Sequence, residues 1–481
     1  MNPQSILTLF DDNALRAMGP LLALAAGALL VLLAGIVPIL GSARGLIVMA
    51  TLGVTAALQI DHWRDPIGPV LDATYMADKG TAAFGLMFVA ATLLAWLYSV
   101  HYYKEDRPFQ GEHDFLMLVT PLGMTMMAGA QDLLVFFVGL EVLSIPLYAL
   151  AAFRRNRLRS VEAGMKYFLL GAFAAAFFLY GAGLIYMASG SVTFSDLRGA
   201  ATHSPLFQAG VALVMASVFF KVSVFPFHLW VPDVYEGSPT PVTALMATGT
   251  KAAAFAFLLN AAFLIPPVQS TLVVAIAVIT MAVGNLGALM QKDVKRMLAY
   301  SGIAHAGTIL LVLAGYMNGD ILRGAAFDAA VFYLGAYVFT AAGAFGLLAV
   351  LEQSDHPVTT FESLKGLAQR RPYVAAAMTL FMLSLGGIPA TGGFLGKWFV
   401  FSVSYRSGFV AATILGALLS VVGMAYYLRV IVAMYMQPES KDAGPREAQA
   451  PGLPMACATA VCVVFVIAMG VMPNLFLDRL P

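Results

Sequence analysis

The segment LVMASVFFKVSVFPFHLW (213–230) places Lys221 in an apolar run and Pro226 five residues later. A proline inside a helix removes its own N–H donor and crowds the carbonyl four residues earlier, here that of Val222. In hydrocarbon, the freed polar groups must find partners in protein or water. The segment therefore predicts an interrupted helix whose break is buried or lines a wet cavity.

A second segment, LSLGGIPATGGFLGKWFVF (383–401), repeats this combination, because Pro389 lies among four glycines and Lys397 follows. Glycine and proline are common in membrane helices, so one break alone carries little weight. Two breaks, each beside a lysine, favour a functional interpretation. Such paired segments in corresponding halves of a chain indicate an inverted repeat with a site between the halves.

The composition predicts a membrane protein, because 60% of the 481 residues are hydrophobic and 11% are charged. A net charge of +1 gives no reason to expect nucleic acid or an acidic substrate as a partner. Segments of about 20 apolar residues are long enough to span a bilayer. They predict an all-α polytopic protein of about fourteen transmembrane helices. The predicted spans are 17–40, 44–61, 82–103, 114–130, 132–153, 161–189, 206–228, 239–264, 271–290, 297–316, 322–352, 372–403, 408–436 and 453–477.

The basic residues predict the orientation. Loops after odd-numbered spans hold most of the 27 lysines and arginines, including Arg154, Arg155, Arg157 and Arg159. The positive-inside rule assigns that side to the cytoplasm and both termini to the periplasm. Cys457 and Cys462 are predicted to be a buried, inert pair. We find no motif for a bound metal or nucleotide cofactor.

The predicted spans contain a row of one glutamate and four lysines: Glu141, Lys166, Lys221, Lys251 and Lys397. A charge at bilayer depth costs several kcal/mol and marks a functional site by default. The row therefore suggests that the protein moves charge across a membrane. Lys166 begins its span, so snorkelling to the interface and a relay role are both open. A purely structural role also remains open for the other lysines.

At these residues the chain resembles a known family. KVSVFPFHLWVPDVYEGSPTPVTALMATGTKAAAF (221–255), GNLGALMQKDVKRMLAYSGIAHAG (284–307) and SLGGIPATGGFLGKW (384–398) are similar to the antiporter-like membrane subunits of respiratory complex I, NADH-quinone oxidoreductase. These subunits are similar in turn to Mrp-type sodium/proton antiporters. Among three sister types the chain resembles the N type, because it has the DVYEG motif and a lysine at position 397, and because it stops soon after the last span.

The resemblance implies two inverted five-helix repeats, over residues 111–264 (helices 4–8) and 265–437 (helices 9–13). Three helices would precede them in residues 1–110, and a cytoplasmic loop and helix 14 would occupy 438–481. It also implies a translocase subunit of the bacterial inner membrane, without a redox site of its own. FMN, iron–sulfur clusters and quinone would be bound by partner subunits. The expected partners are an M-type subunit, small membrane subunits and the lipid bilayer.

Carried over by motif position, the proton relay would consist of Glu141, Lys221, Lys251, His305 and Lys397. Glu141 would pair with Lys221, Lys251 would be the central relay, and Lys397 would lie toward the far half-channel. Burial disfavours the charged form of an ammonium group and a nearby carboxylate favours it. Movement of Glu141 relative to Lys221 would therefore switch proton binding on and off.

Several alternatives stay open at this point. His305 is either a link between the halves or a hydrogen-bonded core residue. His228 and Trp230 are predicted to be interfacial anchors. The whole chain could also be a subunit of an Mrp-type sodium/proton antiporter, or a scaffold whose buried charges only hold helices together.

Overall fold

The computed structural model of the chain describes residues 11–103, 110–199, 204–317, 320–352, 359–439 and 452–478. Within these ranges the chain is almost entirely helical, as predicted, and the one sheet is a two-stranded hairpin of β1 (Gly68–Val70) and β2 (Tyr75–Ala77). The three N-terminal helices are α1 (Asp12–Ile36), α2 (Arg44–Arg64) and α3 (Lys79–Tyr102).

Seven helices follow, most of them long. They are α4 (Gln110–Gly129), α5 (Leu133–Ala151), α6 (Leu158–Ser189), α7 (Phe194–Gly199), α8 (Pro205–Val222), α9 (Trp230–Gly237) and α10 (Thr240–Asn260). Asp132 caps α5, because its carboxylate accepts hydrogen bonds from the N–H groups of Leu134 and Val135 at 2.6 and 3.1 Å. An aspartate at this position satisfies donors that the first helical turn leaves open.

The rest of the described chain adds nine helices. They are α11 (Ser270–Leu289), α12 (Val294–Met317), α13 (Asp320–Leu351), α14 (Leu367–Arg370), α15 (Pro372–Gly386), α16 (Gly392–Arg406), α17 (Val410–Met436), α18 (Leu453–Val471) and α19 (Asn474–Leu477). Most of the loop predicted to open residues 438–481 lies outside the described residues.

Twelve helices of the described ranges are long and apolar enough to cross a membrane. Two of the fourteen predicted spans are not among them. The first coincides with α4, which carries Glu112, His113 and Asp114 in its opening turns. The second, 372–403, is divided into α15 and α16, of 15 residues each. The polytopic all-α class is confirmed, whereas the number fourteen stays a prediction.

Helix α10 is the centre of the molecule. Every residue from Thr240 to Leu259 is buried, although four threonines and Lys251 are among them. A helix that is buried on all sides belongs in the core of a large protein. By contrast, Leu22, Leu29 and Leu33 of α1 are exposed, which is the pattern of a helix that faces lipid or a neighbouring subunit.

Both predicted breaks are present. In the first, α8 ends at Val222, the residue whose carbonyl Pro226 is expected to crowd, and Ser223 adopts a left-handed conformation with φ 71°. The predicted span 206–228 is therefore too long at its end. The second break runs from Gly387, with φ 87°, to the start of α16 at Gly392. The positive φ angle explains the glycine there, since other residues adopt that conformation at a cost.

Candidate functional site

Three of the predicted relay lysines lie in the protein interior. The exposed fractions are 3% for Lys221, 0% for Lys251 and 9% for Lys397. They sit at the end of α8, in the middle of α10 and in α16. Because an isolated charge in a medium of low dielectric constant is costly, the polar contacts of each ammonium group are informative.

Lys221 is held by two hydroxyl groups. Its Nζ donates hydrogen bonds to Ser144 Oγ at 2.7 Å and to Tyr167 OH at 3.2 Å. The same ammonium lies 5.0 and 5.6 Å from the ring centroids of Tyr167 and Tyr148, a distance at which a cation is attracted to an aromatic face. Ser144 donates in turn to the Leu140 carbonyl at 2.5 Å.

Glu141 is half-buried on α5, three residues before Ser144. Residues three apart share a helix face, so Glu141 lies one turn from the serine that binds Lys221. Among the described residues, however, Glu141 forms no ion pair with Lys221, which is bound to Ser144 and Tyr167 instead. The pairing implied by the family resemblance is thus not a direct contact here.

The first helix break is closed by protein groups. The N–H of Val224 donates to the Phe219 carbonyl at 2.9 Å, and Trp230 Nε1 donates to the Phe220 carbonyl at 3.0 Å. Trp230 also stacks on Tyr167, with ring centroids 4.6 Å apart and planes 5° apart. Trp230 therefore contacts both the Phe220 carbonyl, next to Lys221, and the ring of Tyr167, whose hydroxyl binds Lys221.

The prediction that Trp230 and His228 are interfacial anchors is wrong. Their exposed fractions are 3% and 5%. The chain turns at Ser223, and α9 carries Trp230 back onto the end of α8. The sequence shows the break itself but not the direction in which the chain continues after it.

The ammonium group of Lys251 is bound by a backbone carbonyl. Its Nζ donates to the carbonyl oxygen of Gly302 at 2.6 Å, and it lies 5.6 Å from the ring centroid of Tyr337. A Cβ atom at position 302 would be 2.7 Å from this nitrogen. Gly302 is therefore part of the site, because the absence of a side chain lets the ammonium reach the helix.

His305 lies one turn further along α12 and is bonded at both ring nitrogens. Nδ1 is 2.6 Å from Tyr333 OH, and Nε2 is 3.0 Å from Tyr427 OH. Tyr427 OH is also 2.5 Å from Ser301 Oγ. The ring centroid of His305 is 5.1 Å from that of Tyr337, the ring beside Lys251. Lys251 and His305 thus share one neighbourhood.

Lys397 binds the end of the half-helix that precedes it. Its Nζ donates to the carbonyls of Leu385 and Gly386 at 2.9 and 3.0 Å. These are among the carbonyls that the last turn of α15 leaves without helical partners. A small cavity is lined by both Lys397 and His305, together with Asn285, Tyr426 and Tyr427. The structure therefore groups Lys251, His305 and Lys397.

Lys221 stands apart from this group. Among the described residues, the side chains that contact Lys221 are not those that contact Lys251. Tyr235 connects the surroundings of Lys221 to α10, because its ring centroid lies 6.0 Å from that of Trp230 and its hydroxyl donates to the Met246 carbonyl at 3.1 Å.

Lys166 is not part of the buried row. Its side chain is 43% exposed, and its Nζ pairs with Glu162 at 2.8 Å and with Asp233 at 3.0 Å. Arg296 pairs with Asp233 and Glu236, both at 2.8 Å. Partial burial raises the pKa of Asp233, but hydrogen bonds from Arg296 and Lys166 outweigh this and lower the pKa below its ordinary value. The network joins α6, α9 and α12 at the surface of the protein.

The fold and the site define a multi-pass membrane protein of the antiporter-like type. Residues 130–423 match the family described as "NADH:quinone oxidoreductase/Mrp antiporter, TM". The chain belongs to this family and, within it, to the family of NADH-quinone oxidoreductase subunit N.

Named relatives support this assignment. Subunit N of Trichlorobacter lovleyi is 38% identical over 89% of the chain and 88% of the relative. Subunit N 1 of Herpetosiphon aurantiacus is 40% identical over the same shares. A chain of respiratory complex I from Thermus thermophilus has 36% identity and a TM-score of 0.81, over 95% of this chain and 98% of that one.

Proposed function

We propose that this chain is a proton-translocating membrane subunit of NADH-quinone oxidoreductase, driven by quinone reduction in other subunits. One observation supports this most: within the described residues, Lys221, Lys251 and Lys397 are buried and bonded only to hydroxyl or carbonyl oxygens. A structural charge in a low-dielectric interior is normally paired with an opposite charge. Unpaired, ionisable and buried groups suit the exchange of protons.

The relay consists of two parts. Lys251, His305 and Lys397 form one continuous part, with Tyr337 and Tyr427 between them. Lys221 with Glu141 forms the other. Proton transfer between the two parts requires water or movement of side chains, because they share no side-chain contact among the described residues. Such a gap is useful in a pump, since a permanently connected path would leak.

Glu141 acts as the switch. In one state Lys221 is bound to Ser144, as described above. In the other, the carboxylate of Glu141 turns toward the ammonium and takes the place of Ser144 Oγ. Breaking a buried ion pair by removing one partner costs about 3–5 kcal/mol, and moving one proton against 100 mV requires about 2.3 kcal/mol. The two energies are of the same order.

The subunit lies in the bacterial inner membrane with both termini in the periplasm, because the arginine-rich loop with Arg154 then faces the cytoplasm. Residues 111–264 and 265–437 form the two inverted repeats, each with one broken helix. FMN, iron–sulfur clusters and quinone belong to partner subunits, among them those that drive the relay. An M-type subunit and small membrane subunits are its neighbours.

The test is proton pumping by the whole complex in proteoliposomes, measured with a pH-sensitive dye beside NADH:quinone reductase activity. Lys251→Met should assemble and lose most of the pumping. Lys166→Met, in the surface network, is the matched control and should pump normally. If Lys251→Met assembles and pumps like the unmodified complex, the chain is a scaffold. Pumping that requires sodium would instead support the antiporter alternative.

A further inference from the structure

A cavity outside the relay lies beside the connection between α1 and α2. Its volume is about 220 Å³, and it is bounded by α3, α4 and the end of α5. The side chains that matter below are Arg44, Trp96, Tyr103, His113, Asp114 and Phe153. Nothing in the relay uses them.

The inner wall of the cavity is acidic and has an unused acceptor. Asp114 Oδ1 accepts a hydrogen bond from Trp96 Nε1 at 2.9 Å and lies 3.3 Å from His113 Nδ1. The exposed fractions of Asp114 and His113 are 8% and 3%. A ring nitrogen that faces a carboxylate carries the hydrogen, which leaves Nε2 of a neutral imidazole as an acceptor. His113 Nε2 is buried and has no hydrogen-bond partner among the described residues.

The walls are aromatic. The ring centroid of Tyr103 is 4.8 Å from that of His113 and 5.5 Å from that of Phe153, and Trp96 completes the lining. Aromatic faces around a carboxylate attract a cation, most strongly where water is excluded. A buried acceptor without a partner calls for a group that donates. The inner end therefore fits a small ammonium group.

The rim has the opposite charge. Arg44 is half-buried beside the exposed Ser42, and its Nε donates to the Gly41 carbonyl at 2.9 Å. Apolar side chains flank this rim, since Ile36 and Leu46 are 70% and 72% exposed. The rim thus lies where lipid-facing helices end, which is the depth of phospholipid phosphate groups.

We propose that this cavity binds the head group of a phospholipid that carries a primary ammonium, such as phosphatidylethanolamine. The phosphate contacts Arg44, and the ammonium donates to His113 Nε2 and lies against Asp114 among the aromatic rings. The acyl chains run along α1 and α2. The charges of the cavity match a zwitterion with its positive end inward. A purely anionic lipid would bring no cation to the carboxylate and the aromatic rings at the inner end.

Native mass spectrometry of the delipidated whole complex tests this with three lipids of equal chain length. These are phosphatidylethanolamine, phosphatidylcholine, whose trimethylated ammonium has no N–H, and phosphatidylglycerol, which has no cation. We expect phosphatidylethanolamine to bind about tenfold more tightly than either, the size of one charge-assisted hydrogen bond. Equal affinities, or a preference for phosphatidylglycerol, in the unmodified complex would overturn the proposal without any variant.

Two variants localise the effect. Asp114→Asn keeps an oxygen for Trp96 and His113 but removes the charge, so it should abolish the preference for phosphatidylethanolamine and leave phosphatidylglycerol binding unchanged. Arg44→Gln should weaken the binding of all three lipids by a similar factor. Lys79→Gln, at the start of α3 and exposed, is the control for loss of a surface charge. An unchanged lipid preference in an assembled Asp114→Asn complex would place the binding site elsewhere.

Discussion

The ammonium nitrogen of Lys251 lies 2.6 Å from the carbonyl oxygen of Gly302, on a neighbouring helix. This contact is possible because Gly302 has no side chain. A Cβ there would be 2.7 Å from the ammonium and 3.1 Å from the hydroxyl of Tyr337. The glycine therefore fixes the position of the central lysine relative to α12 and His305.

Gly302→Ala should consequently impair proton transfer while the complex still assembles. The methyl group pushes the lysine end away by several tenths of an ångström, and errors of about 1 Å in a reacting group cost up to about 100-fold. We expect pumping to fall at least about tenfold, as measured with a pH-sensitive dye in proteoliposomes. Gly183→Ala is the matched control, because a Cβ there meets nothing within 4 Å. Normal pumping by Gly302→Ala would show that the Lys251–Gly302 contact is dispensable.

Trp230→Phe separates the two contacts of this residue. A phenyl ring can still stack on Tyr167, but it leaves the Phe220 carbonyl beside Lys221 without its side-chain donor. An unsatisfied buried polar group costs about 1–3 kcal/mol. We expect a lower thermal unfolding temperature of the subunit and a change in pumping. Trp398→Phe, at a tryptophan that is 60% exposed, should change neither.

Trp230 also illustrates what the sequence can predict. Lys221, Lys397 and both helix breaks are evident from it, because a charge or a proline in an apolar segment is informative without knowledge of its neighbours. The sequence does not reveal the roles of Trp230, Ser144 and Gly302, because these roles depend on which helices pack together. The left-handed conformation of Ser223, with which α8 ends after Val222, is not evident from the sequence for the same reason.

Tyr427→Phe tests the link between His305 and Lys397. The Tyr427 hydroxyl contacts His305 Nε2 and Ser301, and the residue lines the cavity that Lys397 also borders. Removal of this hydroxyl should slow proton transfer by about 100-fold, the lower end of the range for loss of one positioned acid–base group. Quinone reductase activity and pumping should fall together if the relay is coupled to redox turnover.

Tyr405→Phe is the control for this substitution, because Tyr405 is 59% exposed. The pumping rate should also show a larger solvent deuterium isotope effect in Tyr427→Phe than in the unmodified complex, since a slower proton transfer becomes rate-limiting. An unchanged rate and isotope effect would mean that protons do not pass this hydroxyl.

The ion-pair network around Asp233 predicts a loss of stability in acid. The pKa of Asp233 is lowered in the folded chain, so the unfolded chain binds a proton more readily. The carboxylate therefore stabilises the folded state above its unfolded pKa of about 3.9, and this contribution is lost as the pH falls through the lower folded value. Because the side chain is 40% exposed, we expect about 1 kcal/mol or less.

Asp233→Asn should remove this dependence. Thermal unfolding of the subunit within the complex, followed from pH 7 to pH 3, should show a lower unfolding temperature for the variant at neutral pH and a difference that shrinks below about pH 4. High salt should reduce the difference at neutral pH, because it screens exposed pairs. Asp478→Asn, at an exposed residue far along the chain, should follow the unmodified protein throughout. A difference that stays constant into acid would mean that Asp233 contributes through packing and not through its charge.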